Sequence, residues 1–318
     1  MMRGAHPLRA PRVDRNLASS PSPTLFGVLG DPVDHSLSPA MHNAAFAATG
    51  LPHVYLRYRV PQQALAAALD EARALGMGGL NLTLPLKEVA LGLVERLTPA
   101  AQQIGAVNTI VFERRGERLI GDNTDARGFM ASLRGRVRLR DRTVVILGAG
   151  GSARAVGTAL AHSGCARLVV ANRTAARGER LASRLADLGG TAVASIPLAS
   201  RSLEEMLGDA VLVVNTTPAG LAGASLPVDP AATPRQCLFV DLLYGARPSR
   251  FLARAVRARR RTLDGSLMLL HQGALAFEAW TGRAAPRAAM ARALRAAGLT
   301  LTEPRAAASV SRRRPPRS

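Results

Sequence analysis

Several things are scarce in this sequence. Cysteine occurs twice, as Cys165 and Cys237, too few for a disulfide framework or an all-cysteine zinc site. No window reaches the roughly 18 uninterrupted apolar residues that a membrane-spanning helix needs. Aromatic residues make up 3% of the 318 positions, with three Tyr and one Trp, which leaves little for stacking against nucleic-acid bases. Acidic residues number 22 against 42 basic ones, a formal net charge of +20. Such a charge raises the question of a nucleic-acid partner. However, the arginines are spread along the chain and cluster only at 259–261 and 312–317. Biased composition explains that spread, so no specific nucleic-acid partner is expected.

Lysine is the sharpest scarcity. Of the 42 basic residues only Lys87 is not Arg. Arg stays charged at any working pH, whereas Lys can give up a proton when its surroundings favour it. Proton transfer is one task that would keep a Lys where Arg has taken every other position. Chance survival on a solvated helix is the alternative, and the neighbouring residues must decide.

What is present is globular. Hydrophobic residues make up 47%, enough for a sizeable core in one large domain or two ordinary ones. Residues 1–24 are rich in Arg, Pro and Ser and lack the apolar block of a secretory signal; they are expected to be a disordered extension. The expected location is cytoplasmic.

Apolar runs at 25–29, 54–60 and 79–84 read as strands, and 39–49 and 62–75 as helices. Lys87 is expected to open a helix running to about residue 97. Segments 108–112 and 118–120 read as a hairpin around Arg115 and Gly116. After Asp125, apolar strands at 143–147, 168–171, 211–215 and 238–242 alternate with helices at 126–133, 153–163 and 175–188. That pattern describes a parallel, doubly wound sheet. Helices at 266–281 and 286–297 close the folded part. The fold class is therefore α/β: an N-terminal α/β unit followed by a Rossmann-type unit. The expected boundaries are 25–125 together with 265–300 for the first unit and 126–264 for the second, with a basic disordered tail at 301–318.

Strand 143–147 runs into Gly148-Ala149-Gly150-Gly151-Ser152-Ala153, a G-x-G-x-x-A loop between a strand and a helix. The first glycine allows the tight turn and the second lets a pyrophosphate approach the backbone. The alanine keeps the helix close to the sheet, and the helix N-terminus offers free N–H groups to phosphates. Strand 168–171 ends in Asn172-Arg173-Thr174, with Arg177 following. The carboxylate that holds the ribose 2′-OH of NAD is missing there, and guanidinium forks suit a 2′-phosphate. The expected cofactor is NADP. A capped helix start, with Thr174 as N-cap and the arginines solvated, is the alternative.

Four clusters of small polar residues remain: Ser36-Leu37-Ser38-Pro39, Asn81 to Lys87, Gly105 to Thr109, and Gly121 to Asp125. Each falls at a strand end or between a strand and a helix, where open α/β sheets gather ligand groups. Taken singly, each has a local reading as a cap or turn. In this order, with the Gly148 loop, Asn172-Arg173-Thr174, Asn215-Thr216-Thr217, Asp241-x-x-Tyr244 and Asp264-Gly265-x-x-Met268-x-x-x-Gln272, they resemble the shikimate dehydrogenase family over about 25–299.

The resemblance implies the following roles. Lys87 and Asp125 form a catalytic pair. Ser36, Ser38, Thr83, Asn108, Tyr244 and Gln272 line a substrate site for shikimate or 3-dehydroshikimate. Thr217, Leu242, Gly265 and Met268 join the glycine loop and the arginines around NADP. It also implies that the C-terminal helices return to the first unit. A homodimer is compatible with it, and no metal is called for. His35 and His271, beside these positions, are expected to be structural. Departures from the family pattern are Ala126 after Asp125, Ala246 after Tyr244, and Leu267, which is expected to crowd the nicotinamide site. A quinate/shikimate dehydrogenase using NAD or NADP and a non-catalytic metabolite-sensing relative stay open as alternatives.

Overall fold

The computed structural model describes residues 22–113, 117–219 and 225–301. The expected terminal extensions, apart from 22–24 and Leu301, lie outside the described residues, as does the Arg115–Gly116 turn. Among the described residues the strands form two six-stranded sheets.

The first sheet has the order β2-β1-β3-β5-β6-β4. It is built from β1 (Leu25–Gly30), β2 (Val54–Arg59), β3 (Gly79–Leu82), β4 (Arg96–Leu97), β5 (Thr109–Glu113) and β6 (Arg118–Asp122). Strands β1, β2 and β3 are parallel, and β5 returns antiparallel to both β3 and β6. Helices α1 (Ser38–Ala48), α2 (Leu65–Ala74), α3 (Pro99–Ile104) and α4 (Asp125–Leu133) belong to this stretch of chain. The expected hairpin is present as β5 and β6.

The expected helix from Lys87 is not. The backbone carbonyl of Lys87 accepts from Val107 N–H at 2.8 Å, so it is unavailable to the amide four residues on. What forms instead is a single 3₁₀ turn, Val89–Gly92. The chain then extends into β4, which pairs with β6.

The second sheet is parallel throughout, in the order β12-β11-β10-β7-β8-β9. Its strands are β7 (Thr143–Leu147), β8 (Arg167–Asn172), β9 (Ala192–Pro197), β10 (Ala210–Asn215), β11 (Leu238–Asp241) and β12 (Arg261–Leu263). The helices between them are α5 (Gly151–Ala161), α6 (Ala175–Ala186), α7 (Arg201–Leu207) and α8 (Arg250–Arg257). The inner strands read as continuous apolar runs because helices cover both of their faces. Strand order reverses between β7 and β10, and ligands of such sheets bind in the crevice beyond the strand ends there.

Helices α9 (Ser266–Thr281) and α10 (Arg287–Ala296) leave the second sheet and return to the first. Helix α9 packs on α4 and α1, and α10 on α1. Trp280 Nε1 donates to the Ile110 carbonyl at 3.0 Å, tying α9 to β5. No helix among the described residues is long and apolar enough to cross a membrane.

Candidate active site

A cleft of about 510 Å³ lies between the two sheets. Its walls include Lys87, Asp125 and all six expected substrate positions: Ser36, Ser38, Thr83, Asn108, Tyr244 and Gln272. These residues come from six separate stretches of sequence. Most sit near a strand end or a helix start, which gathers them at one edge of the sheets, and Gln272 reaches in from within α9.

At the centre, Lys87 Nζ donates to Asp125 Oδ2 at 2.6 Å. Both side chains are largely shielded, at 13% and 5% exposure, so the pair is much less screened than a surface ion pair. Asp125 opens α4, where the helix dipole favours a negative charge. Its other oxygen accepts from Asn108 Nδ2 at 2.7 Å. The Asn108 amide is held by Thr124 N–H, which donates to Asn108 Oδ1 at 2.8 Å. Gln272 Oε1 reaches Asn108 Nδ2 at 3.4 Å, while Gln272 Nε2 donates to the Leu269 carbonyl. Ser36 Oγ accepts from Ser38 N–H at 3.3 Å. Burial raises the Tyr244 phenol above its ordinary value, opposed by hydrogen bonds involving the Leu37 backbone and Ser36. Tyr244 thus faces the serine arm of the cleft.

The glycine loop forms the opposite wall. Gly148 follows β7 at φ 112°, a conformation that favours glycine, and it abuts Thr216 and Thr217 after β10. Gly150 is the N-cap of α5 without a side-chain cap bond, and a Cβ there would meet nothing within 4 Å. A helix N-terminus with open space before it and no capping side chain fits a pyrophosphate. Among the expected cofactor positions, Gly150, Gly151, Ser152, Arg177, Thr217, Leu242, Gly265 and Met268 line the cleft. Gly148, Ala149, Ala153, Asn172, Arg173 and Thr174 stand behind it or beside it. Thr174 is the N-cap of α6 but makes no side-chain cap bond, which removes the capping explanation for it. Asn172 Nδ2 donates to the Thr174 carbonyl at 2.8 Å, and Arg173 is exposed. The end of β8 carries no carboxylate, so the residues present fit NADP.

The structure corrects one expectation here. Leu267 is 2% exposed and packs in the hydrophobic core, because it faces away from the cleft on α9. It does not crowd the site. His35 lines the cleft, while His271 faces Arg287 on α10. Glu88 was not anticipated: it pairs with Arg154 on α5 at 2.7 Å and loosely with Arg177 at 3.7 Å, bridging the two sheets beside Lys87. Arg177 therefore already faces a carboxylate across the cleft.

Three family models match the chain. They are a "Shikimate dehydrogenase substrate binding domain" over residues 28–110, "Shikimate / quinate 5-dehydrogenase" over 131–242, and a "Shikimate 5'-dehydrogenase C-terminal domain" over 265–295. A shikimate dehydrogenase (NADP(+)) of Moorella thermoacetica is 47% identical over 278 residues, covering 86% of this chain and 93% of the relative. The chain belongs to the shikimate dehydrogenase family. Two solved members of similar shape are a Thermus thermophilus shikimate 5-dehydrogenase in complex with NADP(H) and shikimate and a Corynebacterium glutamicum quinate dehydrogenase in complex with NAD. The first is 41% identical with a TM-score of 0.74, covering 86% of this chain and 99% of that one. The second is 32% identical with a TM-score of 0.77, covering 86% and 100%.

Proposed function

We propose that the protein is an NADP-dependent shikimate dehydrogenase, which reduces 3-dehydroshikimate reversibly to shikimate on the route to aromatic amino acids. The observation that carries this reading is the shielded Lys87–Asp125 pair, facing a wall of hydroxyls and amides beside a dinucleotide loop. A polyol ring needs many hydrogen-bond partners. Ser36, Ser38, Thr83, Asn108, Tyr244 and Gln272 supply them, and a site built this way penalises a ring lacking those hydroxyls.

NADPH supplies the hydride when bound. Gly148 to Ala153 hold its pyrophosphate, and Asn172, Arg173, Thr174 and Arg177 hold the 2′-phosphate end. Thr217, Leu242, Gly265 and Met268 line its nicotinamide end. Lys87 gives a proton to the carbonyl oxygen as negative charge builds there, and takes it back from the hydroxyl in the reverse direction. Asp125 holds Lys87 and a substrate hydroxyl in register, which converts the transfer into a positioned, intramolecular step. Residues 25–125 with 265–300 act as the substrate-binding unit and 126–264 as the NADP unit. The expected compartment is the cytoplasm.

The test is absorbance at the reduced-nicotinamide band, with shikimate or quinate and NADP or NAD in all four combinations. Reduction with shikimate and NADP is expected. The similarity to a quinate dehydrogenase makes quinate the informative second substrate, and rapid turnover of it would move the protein to the broader quinate/shikimate group. Folded protein that binds NADP yet turns over neither substrate would overturn the catalytic assignment.

A further inference from the structure

Behind the cleft, and not lining it, lies Tyr55 of β2, which is fully buried. Its ring stacks on His42, with centroids 4.5 Å apart and planes 13° from parallel. Its hydroxyl donates to Asn81 Oδ1 at 2.7 Å. This bond has a forced direction. Asn81 Nδ2 donates to the Asn108 backbone carbonyl and to Thr109 Oγ1, each at 3.1 Å. A carbonyl only accepts, so the amide nitrogen must face it and Oδ1 must face Tyr55.

The same logic runs forward. Thr109 accepts from Asn81, and its single proton goes to Asn108 Oδ1 at 2.8 Å. With Oδ1 so occupied, Asn108 turns Nδ2 to Asp125 Oδ1, and Asp125 Oδ2 receives Lys87 Nζ. Every hydroxyl and amide in this chain has one consistent orientation, and the chain ends on the reacting pair.

We propose that Tyr55 is a positioning residue for Lys87 and Asp125. Its hydroxyl anchors Asn81 through Oδ1 and, by way of Thr109 and Asn108, supports the Asp125 carboxylate. The inference rests on the catalytic reading of Lys87 and Asp125 given above. Tyr55, Asn81 and Thr109 are all buried, so solvent replaces a lost donor among them poorly. Removing the Tyr55 hydroxyl leaves Asn81 Oδ1 buried without its donor and takes away one of the three bonds that hold the amide in place. The Asn81 amide, still donating to the Asn108 carbonyl, is then free to shift, and Thr109, which accepts from it, shifts with it relative to Asn108. Thr124 N–H still holds Asn108, so the pair is loosened rather than lost. Ser38, the other side chain bonded to the phenol, places the same hydroxyl between the serine arm and the catalytic arm of the site.

The test is Tyr55→Phe in the full chain, which keeps the ring and its stack on His42. The assay follows shikimate oxidation with NADP across pH, beside the parent protein. The expected result is a roughly tenfold fall in kcat, as small misplacements of reacting groups produce. The KM for NADP should stay unchanged, and the kcat profile should no longer superimpose on that of the parent, because the reacting pair has lost part of its support. Should Tyr55→Phe not fold, Thr109→Val breaks the chain one link further on and should displace the profile in the same way. A folded variant with kcat within twofold of the parent and a superimposable pH profile overturns the proposal, as does a loss of thermal stability with no change in the profile. Turnover by the parent with unaffected variants defeats this inference alone, whereas no turnover by the parent defeats the functional reading and takes the inference with it.

Discussion

Gly151, the first residue of α5, lies against the Lys87 side chain: a Cβ at position 151 would stand 2.9 Å from Lys87 Cβ and 3.4 Å from its Cδ. The dinucleotide loop and the reacting amine are thus in direct contact, and Ser152 adds a hydrogen bond from Lys87 Nζ at 3.2 Å. Gly151→Ala is expected to push Lys87 off its line to Asp125. Since about 1 Å of misplacement can cost up to a hundredfold, kcat should fall at least tenfold while the KM for NADP changes little. Ser152→Ala, which removes one weak bond from the same amine, should cost less than about threefold. Steady-state kinetics on the two variants checks this, and equal losses in both would contradict it.

How much of this was legible in the sequence varies with how local the cause is. The inner strands β7, β8, β10 and β11 are continuous apolar runs, and burial on both faces requires that pattern, so they could be read directly. Edge strand β9 and the three-residue β12 are half exposed and carry no such run, so they went unread. Helix α8 hides Phe251, Leu252 and Ala255 among arginines. The false helix after Lys87 arose because Val107, 20 residues on, takes the Lys87 carbonyl, a partner that no local pattern announces. In the site, motif order gave Lys87, Asp125 and the polar wall. Tyr55 and Glu88 were missed for the reason that hid Val107: alternation along β2 shows that Tyr55 faces inward, but not that its hydroxyl meets Asn81.

Cofactor choice should follow the arginines beyond β8. Both Arg173 and Arg177 are exposed, and among the described residues Arg177 pairs loosely with Glu88. Charge-assisted bonds to phosphate are worth about 1.5–3 kcal/mol each before solvent screening. Arg177→Ala should therefore raise the KM for NADP by about tenfold and leave the KM for NAD within twofold. Arg173→Ala should act in the same direction. Parallel losses with both cofactors would mean that these side chains support the loop in general rather than recognising the 2′-phosphate.

Asp241 ends β11 with no exposed surface. It accepts from Asn215 Nδ2, Leu243 N–H and Ser249 Oγ, which shapes the loop carrying Leu242 and Tyr244. Burial raises its carboxyl above the ordinary 3.8, opposed by those hydrogen bonds and reinforced by Asp264. The folded protein thus holds this proton more tightly than the unfolded chain. The Asp241 contribution is fully present below 3.8 and is lost as pH rises through the folded value. Asp241→Asn has no such loss. Urea midpoints measured from pH 4 to 7 should show the stability difference moving in the variant's favour as pH rises, then levelling. A difference that moves the other way would show that the hydrogen bonds outweigh the burial.

His42 presents the opposite sign. Burial takes its imidazole from the ordinary 6.5 down to about 3, and neither ring nitrogen has a hydrogen-bond partner among the described residues. It serves as a neutral plate behind Tyr55, with Trp280 at 5.2 Å on another side. The unfolded chain takes up a proton at this position near 6.5, which the folded protein refuses until about 3. Stability from this residue is therefore present above 6.5 and lost as pH falls, by up to about 1.4 kcal/mol per pH unit within the window. His42→Leu removes the titrating group while keeping an apolar side chain, at the loss of the ring stack. Near pH 7.5 the variant should be less stable than the parent by about 1–2 kcal/mol. The gap should close and then reverse by pH 5, since every other titrating group is common to both proteins and cancels in the comparison. Denaturation at pH 7.5, 6 and 5 gives the answer: a gap that stays constant across that range would mean the folded protein admits a proton to His42, and that the plate behind Tyr55 is not held neutral.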